Sequence, residues 1–127
     1  MIRWPWRSKT RPLGAQGEDL AAKFLRRAGY QILERNAKLG RNEIDIIARD
    51  SDTIVFVEVK TRDTPGDAFS PEDNVNITKQ RKIVAAAKIY MAKHPDPQAY
   101  YRFDVVGVVV EKGQKPRIEL FKDAFHA

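Results

Sequence analysis

The segment from residue 43 to residue 60 constrains the fold of this chain more than any other part of the sequence. It contains two apolar runs, EIDIIAR at 43–49 and IVFVEVK at 54–60, separated by the polar residues DSDT. Runs of this length rich in Ile, Val and Phe are typical of buried strands. Asp and Ser between them favour a tight turn. The sequence therefore predicts a β-hairpin inside a sheet that is covered on both faces.

The register of this hairpin decides where its charged residues lie. With residues 51–52 as a two-residue loop, Asp45 lies opposite Glu58. In the same register, Glu43 lies opposite Lys60. Because strand side chains alternate, these four charges share one face. The apolar residues predicted for the other face are Ile44, Ile46, Ala48, Val55, Val57 and Val59.

A pair of facing carboxylates needs a compensating positive charge. Directly opposed side chains have Cβ atoms about 4.5–5.5 Å apart, and two carboxylates at that distance repel each other. Burial also removes their hydration. Lys60 is one candidate for the compensating charge, and a divalent cation is another. On the hairpin alone, a plain ion-paired strand end with no functional role remains an equal alternative.

Hydropathy patterns predict the order α-β-β-β-α-β-β for the chain. The first helix is expected over residues 14–28 and the second over residues 78–93, with Pro95 ending it. A further helical turn is expected at residues 70–73. The expected strands cover residues 30–35, 43–49, 54–60, 101–111 and 117–121. This order predicts an α/β fold with helices packed on one mixed sheet.

The length of the chain predicts one folded domain. It has 127 residues, and domains commonly have about 100–150. We expect a basic N-terminal arm at residues 1–13, a single domain at residues 14–122 and a short tail at residues 123–127.

Composition limits the chemistry that this chain can perform. It contains no cysteine, which excludes disulfides, thiolate zinc sites and a cysteine nucleophile. Its two histidines, His94 and His126, are too few for a histidine metal site. A metal would therefore be held by carboxylates, which favour hard cations such as Mg²⁺ or Mn²⁺.

The charge balance favours a polyanionic partner. Lys and Arg number 23 against 17 Asp and Glu, giving a net charge of +6. This favours nucleic acid ahead of an anionic membrane surface, and we expect no membrane partner. No apolar run reaches the ~18 residues of a membrane-spanning helix. The N-terminus also lacks the apolar region of a signal peptide, so a cytoplasmic protein is expected.

Several polar features have both a functional and a plain interpretation. Lys79, Arg81 and Lys82 lie in the first turns of the second helix, where they would bind phosphates or form a solvated face. The arm at residues 1–13 carries Trp and Arg, which would stack on bases or belong to an unordered terminus. Glu18 lies at the border of the apolar face of the first helix, from which it would reach the acid cluster across the sheet edge. From the residues alone, the favoured interpretation is an acid that complements the helix dipole.

The strand expected at 101–111 places two charged residues side by side on one face. Arg102 and Asp104 alternate there with Phe103 and Val105. Structural pairing of these charges is the favoured interpretation, ahead of a place in a functional site.

Five short motifs occur in the order found in the bacterial YraN family, which the chain resembles over about residues 14–110. The motifs are GAQGE at 14–18, RN at 35–36, EID at 43–45, VEVK at 57–60 and RFDVV at 102–106. That family is similar to the PD-(D/E)xK nuclease superfamily, and within it to archaeal Holliday-junction resolvases. The resemblance implies a restriction-endonuclease-like αβββαβ core, with a mixed five-stranded sheet flanked by two main helices.

The superfamily motif consists of an acid on the first helix, an Asp on the second strand and Glu-x-Lys on the third. Carried over to this chain, it implies four catalytic residues, namely Glu18, Asp45, Glu58 and Lys60. Asp45, Glu58 and the Val59 carbonyl would hold Mg²⁺ or Mn²⁺, and Glu18 would bind a water of that ion or a second ion. Lys60 would orient the attacking water or stabilise charge on the phosphate.

The resemblance also implies a substrate. The expected reaction is endonucleolytic hydrolysis of phosphodiester bonds, with DNA favoured over RNA. Branched DNA is one candidate, for which two symmetric cuts would require a homodimer. The residues expected to contact nucleic acid are Arg35, Asn36, Lys79, Gln80, Arg81 and Lys82. The alternative is a non-catalytic nucleic-acid-binding or adaptor protein on the same fold.

Two loop positions depart from the family pattern. Asn42 stands before the EID motif where the family usually has Gly, and Ser70 follows Phe69 where many members have Gly. Both departures concern the substrate loops, and the four expected catalytic residues are intact.

Overall fold

The structure, a computed structural model, describes residues 11–63 and 75–127. Within these ranges the chain forms the predicted elements in the predicted order. They are α1 (Leu13–Arg27), β1 (Gln31–Leu39), β2 (Asn42–Asp50), β3 (Thr53–Arg62), α2 (Ile77–Lys93), β4 (Tyr100–Val109) and β5 (Arg117–Phe125). The predicted α/β class and the αβββαβ core are confirmed.

The strands form one mixed sheet in the order β1-β2-β3-β4-β5. β3 and β4 are parallel, and the other neighbouring pairs are antiparallel. A parallel pair needs a crossover connection, and the segment between β3 and β4 contains α2. β1 and β5 form the two edges, so the predicted acid-bearing hairpin lies in the interior of the sheet.

The sheet has a helix on each face, and each helix covers its own apolar cluster. The first cluster combines α1 with inward-facing residues of β2, β3 and β4; it contains Ala21, Ala22, Leu25, Tyr30, Ile46, Ala48, Val55, Val57, Val106 and Val108. The second combines α2 with the opposite face; among its members are Ile44, Ile47, Ile54, Phe56, Ile83, Ala86, Ala87, Tyr90, Phe103 and Phe125. Apolar burial on both faces explains why the strands have nearly continuous apolar runs.

α1 ends where the sequence predicts, at a glycine in the left-handed region. Gly29 has a φ of +97°, which L side chains rarely adopt. The Tyr30 N–H donates to the Leu25 carbonyl at 2.9 Å, and the Gly29 N–H donates to the Arg26 carbonyl at 3.0 Å. This pair of hydrogen bonds is a Schellman motif, which satisfies carbonyls that the end of the helix leaves free.

α2 begins one residue before the predicted start because Asn76 caps it. The Asn76 side chain accepts a hydrogen bond from the Lys79 N–H at 2.8 Å. Side-chain caps of this type satisfy a donor that has no partner within the helix. The cap therefore fixes the first turn of α2, which carries the basic residues predicted to bind phosphate.

The predicted hairpin register is confirmed from Ile46–Val57 to Asp50–Thr53, but the ladder does not include the predicted pairs Asp45–Glu58 and Glu43–Lys60. The β2–β3 ladder pairs Ile46 with Val57 and Asp50 with Thr53, as a loop at residues 51–52 requires. Ile44, predicted to share a face with Ile46, instead belongs to the α2-side cluster. The prediction assumed unbroken alternation, and the β1–β2 and β2–β3 ladders both lack a pair at Asp45.

The two edge strands, β1 and β5, extend well beyond their predicted ends. β1 continues to Leu39, and β5 continues to Phe125, so residues 123–125, predicted as the start of a tail, belong to β5. Phe125 stacks on Phe103 with ring centroids 5.0 Å apart, which holds the end of β5 on the sheet. Polar residues interrupt both strands, and this is why hydropathy alone ended them early.

Parts of the sequence predictions lie outside the described residues. These are residues 1–10 of the arm, the helical turn at 70–73 and the loop departure at Phe69 and Ser70. Among the described helices, none combines the length and apolar character needed to cross a membrane.

Candidate functional site

Asp45 and Glu58, called the acid pair below, lie where the β2–β3 ladder ends. The last ladder pair on this side is Ile46 with Val57. One residue further on, the Asp45 side chain accepts a hydrogen bond from the Val59 N–H at 2.8 Å. The Asp45 carboxylate thus takes the place of a backbone carbonyl as the acceptor. This hydrogen bond holds the Asp45 side chain beside β3.

Glu58 is buried with incomplete polar compensation. Only 7% of the residue is exposed. Its Oε2 lies 3.8 Å from Lys79 Nζ, while Oε1 is buried and has no hydrogen-bond partner among the described residues. A buried carboxylate oxygen without a donor is costly, so the described residues leave Glu58 incompletely compensated.

Burial raises the proton affinity of both carboxyl groups, and the charge of Asp45 adds to the rise at Glu58. Burial, followed by the charge of Asp45, raises the pKa of Glu58 to about 8, against the lowering effect of Lys79. Burial also raises the pKa of Asp45, although its hydrogen bonds with Val59 and Glu58 oppose the shift. The pair therefore favours one shared proton near neutral pH, with Glu58 as the protonated partner.

α1 brings Glu18 to the same end of the sheet. Burial and the nearby charge of Asp45 raise the pKa of the Glu18 carboxyl, whereas Asn36 and Arg35 lower it. Its Oε1 lies 3.9 Å from Arg35 Nη2. The structure thus brings Glu18, Asp45 and Glu58 into one electrostatic neighbourhood.

Lys60 and Glu43 lie at the border of this neighbourhood. Lys60 is exposed near the end of β3, and its charge lowers the pKa of Glu58 less than the charge of Lys79 does. Glu43 lies 3.7 Å from Lys38 Nζ, which makes Lys38 a closer counter-charge for it than the Lys60 of the predicted register. Lys60 is thus placed for solvent or substrate more than for neutralising the acid pair.

The residues predicted to bind nucleic acid divide into three groups. Arg81 and Lys82 are exposed on α2. Lys79 faces Glu58, and the Gln80 amide donates to the Val75 carbonyl at 3.1 Å. The remaining two, Arg35 and Asn36, lie on β1 and interact with α1.

Sequence reasoning missed the pairing of Lys79 with Glu58. Lys79 was expected to contact phosphate, and Lys60 was the lysine considered as a counter-charge. The two partners are separated by 21 positions along the chain, and part of that stretch lies outside the described residues. No local pattern signals such a contact, because it depends on how α2 packs across the sheet.

The donor set of the acid pair fits a hard divalent cation. Its ligands would be carboxylate oxygens, which Mg²⁺ and Mn²⁺ prefer, and Glu58 Oε1 has no hydrogen-bond partner among the described residues. Across residues 11–63 and 75–127, no three His, Asp or Glu side chains come close enough together to hold one ion. The protein would therefore supply two carboxylates, with main-chain oxygen and water completing the ion's shell.

Comparison with known proteins shows which family this sequence represents. The family model described as "Uncharacterised protein family UPF0102" matches residues 17–108. The chain belongs to the UPF0102 family. This match confirms the resemblance to YraN proteins, and it spans Glu18, both members of the acid pair and the whole of α2.

Curated UPF0102 proteins match over nearly their full length. One from Chlorobium chlorochromatii is 47% identical over 123 residues, covering 93% of this chain and 94% of the relative. One from Geobacter metallireducens is 49% identical over 113 residues, covering 89% of this chain and 91% of the relative. One from Nocardia farcinica is 44% identical over 113 residues, covering 89% of this chain and 88% of the relative. The match thus extends over most of this chain and most of each of these three relatives.

Proposed function

We propose that this UPF0102 protein is a metal-dependent endonuclease that hydrolyses phosphodiester bonds in DNA. The observation that carries the proposal is the buried, donorless Oε1 of Glu58 beside Asp45. Natural proteins rarely leave such an oxygen unpaired unless a cation, a water or a substrate completes it. The αβββαβ order and the basic first turns of α2 support the same class of activity.

Each residue of the site has a role that follows from its place. Asp45, fixed by the Val59 N–H, and Glu58 would hold the ion. Bound Mg²⁺ or Mn²⁺ would supply Lewis-acid polarisation of the phosphate and activation of water. Lys60, exposed at the end of β3, would stabilise charge on the phosphate in the transition state. Glu18 would orient the water that enters from the α1 side.

The phosphate backbone would lie along α2. Arg81 and Lys82 are exposed there, and cations in such positions contribute affinity without sequence selectivity. Lys79 already compensates Glu58, so it would contribute less to DNA affinity than the other two. For a branched substrate the active form would be a homodimer, which light scattering at several protein concentrations would reveal.

The test compares cleavage and ion binding in matched variants. Purified wild type, Asp45→Asn and Asp96→Asn would be incubated with linear, single-stranded and four-way-junction DNA, with Mg²⁺, Mn²⁺ or chelator. Asp96 is the control because it is a half-buried acid near the opposite end of β2, 3.5 Å from Arg49. Calorimetry would measure Mn²⁺ binding to the same three proteins.

The expected result is metal-dependent cleavage and Mn²⁺ binding by wild type and Asp96→Asn, both lost in Asp45→Asn. Removing a metal ligand should reduce the cleavage rate by a factor of roughly 100 or more. A wild type that neither binds Mn²⁺ nor cuts any of the three substrates would refute the proposal.

A non-catalytic DNA-binding role is the second candidate, favoured by the pairing of Lys79 with Glu58. That contact, together with a proton shared by the acid pair, compensates the buried charge without any metal. In a binder, Asp45→Asn would leave DNA affinity unchanged or raise it, because it removes negative charge from the binding face. DNA binding without cleavage in the same assay would select this alternative.

A further inference from the structure

We propose that Arg35 and Asn36 position Glu18 and do not contact nucleic acid. The expected effect on catalysis rests on the proposed function, whereas the contacts of Arg35 and Asn36 with Glu18 do not depend on it. Both residues belong to the RN motif of β1, for which the family resemblance implies nucleic-acid binding.

Arg35 is engaged by α1. Its Nη2 donates to Asp19 Oδ1 at 2.8 Å and lies 3.9 Å from Glu18 Oε1. The other Asp19 oxygen lies 3.1 Å from Arg11 Nη2, so Asp19 is held from both sides. Arg35 thus ties β1 to the turn of α1 from which Glu18 projects.

The Nε donor of Arg35 is not available to a phosphate, although a third of the side chain is exposed. Its Nε is buried and has no acceptor in the part of the chain that the structure describes. A phosphate on the protein surface cannot reach an atom without solvent exposure. A small movement of the nearby Glu18 carboxylate toward the guanidinium would supply the missing acceptor, which favours Glu18 as the group on which Arg35 acts.

Asn36 holds Glu18 from a break in the sheet. The β1–β2 ladder pairs Arg35 with Ile46 and Ala37 with Ile44, but it has no pair at Asn36 and Asp45. Asn36 has a φ of +51°, a left-handed conformation that Asn tolerates better than most residues. Its side chain lies close enough to the Glu18 carboxyl to lower the pKa of that group. The break therefore directs an amide at Glu18 from the position opposite Asp45.

The two residues together restrict Glu18 to one side of the acid pair. Asp45 repels the Glu18 carboxylate, while Arg35 and Asn36 attract it. Without them the carboxylate would turn toward solvent, where its charge is better hydrated. Glu18 is thus held close to the acid pair by β1, the strand adjacent to the hairpin.

The first experiment separates positioning from nucleic-acid contact. The variants are Arg35→Ala and Asn36→Gly, because Gly keeps the positive φ and removes only the amide side chain. Arg49→Ala is the control, since Arg49 is also a strand arginine ion-paired to an Asp, at 3.5 Å from Asp96. The readouts are kcat, KM and the dissociation constant of fluorescent DNA without metal at several salt concentrations.

Positioning predicts a lower kcat with unchanged DNA affinity. Both variants should lose roughly tenfold or more in kcat, with less than about a twofold change in the DNA dissociation constant and an unchanged salt dependence. Arg49→Ala should behave like wild type. A weaker DNA affinity with a shallower salt dependence in Arg35→Ala would instead establish a phosphate contact and overturn the proposal.

The second experiment requires neither metal nor DNA. Urea midpoints would be measured for Glu18→Gln, Asn36→Gly and the double variant. If Asn36 holds Glu18, the combined shift differs from the sum of the single shifts. Strictly additive shifts would show that the two side chains do not interact, whatever the activity of the wild type. A wild type without cleavage but with coupled midpoints would refute the proposed function and leave the contact standing.

Discussion

The sheet contains two places where a carboxylate replaces a backbone acceptor, and they differ in how fully that carboxylate is satisfied. Asp104 accepts the Asp123 N–H at 2.9 Å, where the β4–β5 ladder shifts register. Asp45 accepts the Val59 N–H at 2.8 Å, where the β2–β3 ladder stops. Each break has a non-glycine residue at positive φ nearby, Asp123 at +54° and Asn36 at +51°.

The two places differ in how many of the remaining carboxylate lone pairs accept a hydrogen bond. Asp104 is fully buried and also accepts hydrogen bonds from Tyr30 Oη at 3.1 Å, Arg102 Nε at 2.8 Å and Arg102 Nη2 at 3.0 Å. Glu58, next to Asp45, has a lysine 3.8 Å away and an oxygen without any donor. The Asp104 network, meaning Asp104 with Arg102, Tyr30 and the Asp123 N–H, is therefore structural. The acid pair sacrifices stability, which is typical of functional sites.

The largest expected effect comes from disrupting the Asp104 network. Asp104→Asn removes the charge that pairs with Arg102, and breaking a buried ion pair costs about 3–5 kcal/mol. Urea unfolding at neutral pH measures the change. Asp96→Asn is the control, because its half-exposed ion pair should contribute less than about 1 kcal/mol. Equal losses of unfolding free energy in Asp104→Asn and Asp96→Asn would contradict the structural role of the Asp104 network.

The next effect concerns the packing that brings Glu18 to the acid pair. A Cβ at Gly17 would overlap the Thr61 side chain of β3, approaching its Cβ to 2.8 Å. Gly17→Ala is therefore expected to lower the free energy of unfolding by about 1–3 kcal/mol. Gly14→Ala on the same helix meets nothing within 4 Å, and should be neutral or slightly stabilising. Thermal unfolding of both variants makes the comparison, and a stable Gly17→Ala would show that α1 does not approach β3 so closely.

Removing the negative charge of Glu58 from the acid pair should stabilise the protein, whereas Asp104→Asn should destabilise it. The raised pKa of Glu58, about 8 against 4.5 for an ordinary Glu, means that the folded state binds a proton that the unfolded state releases. The contribution of Glu58 to stability therefore falls as pH rises from about 4.5 to about 8. Without divalent ions, Glu58→Gln should remove this fall and gain about 1–2 kcal/mol above the folded pKa.

Urea unfolding across this pH range, with chelator present, measures the effect of Glu58→Gln. Glu43→Gln serves as the control, because Glu43 is exposed and its pairing with Lys38 is a surface contact. A variant at Glu58 that is less stable than wild type at high pH would mean that the acid pair is a structural network after all.

The smallest expected effect is that of the lysine beside the acid pair. Lys79 is about half exposed, with 46% of its side chain accessible, so Lys79→Met should cost less than about 1 kcal/mol. Lys82→Met on the same helix, exposed and without a role at Glu58, should change stability less still. Unfolding midpoints below and above the Glu58 pKa provide the measurement. A loss of stability that is larger for Lys79→Met than for Lys82→Met, and that grows with pH, would confirm that Lys79 compensates Glu58.

Much of the fold follows from local sequence patterns. The order of elements, the two-residue loop of the hairpin and its register follow from alternation and turn chemistry, which act over a few residues. The end of α1 follows from Gly29 for the same reason. A structural role for Arg102 and Asp104 was also predicted from their alternation with apolar residues on one strand. That the two pair with each other is a finding of the structure.

The candidate site is only partly accessible from sequence. Asp45 and Glu58 become neighbours through the hairpin, so their proximity was predicted from the register. The continuation of β1 and β5 was missed, because packing against neighbouring strands outweighs the local polarity of edge residues. The placement of Ile44 was missed because both ladders break at Asp45, and a break of this kind leaves no hydropathy signal.

By itself, then, the sequence determined the elements, the hairpin and the identity of the acid pair. Tertiary structure alone decided that Lys79 faces Glu58, that Arg35 engages Asp19 and that Glu58 Oε1 has no donor. These contacts join groups that come together only when α1 and α2 pack on opposite faces of the sheet. Whether a buried charge is satisfied depends on all the donors around it in three dimensions, which neighbouring residues along the chain do not specify.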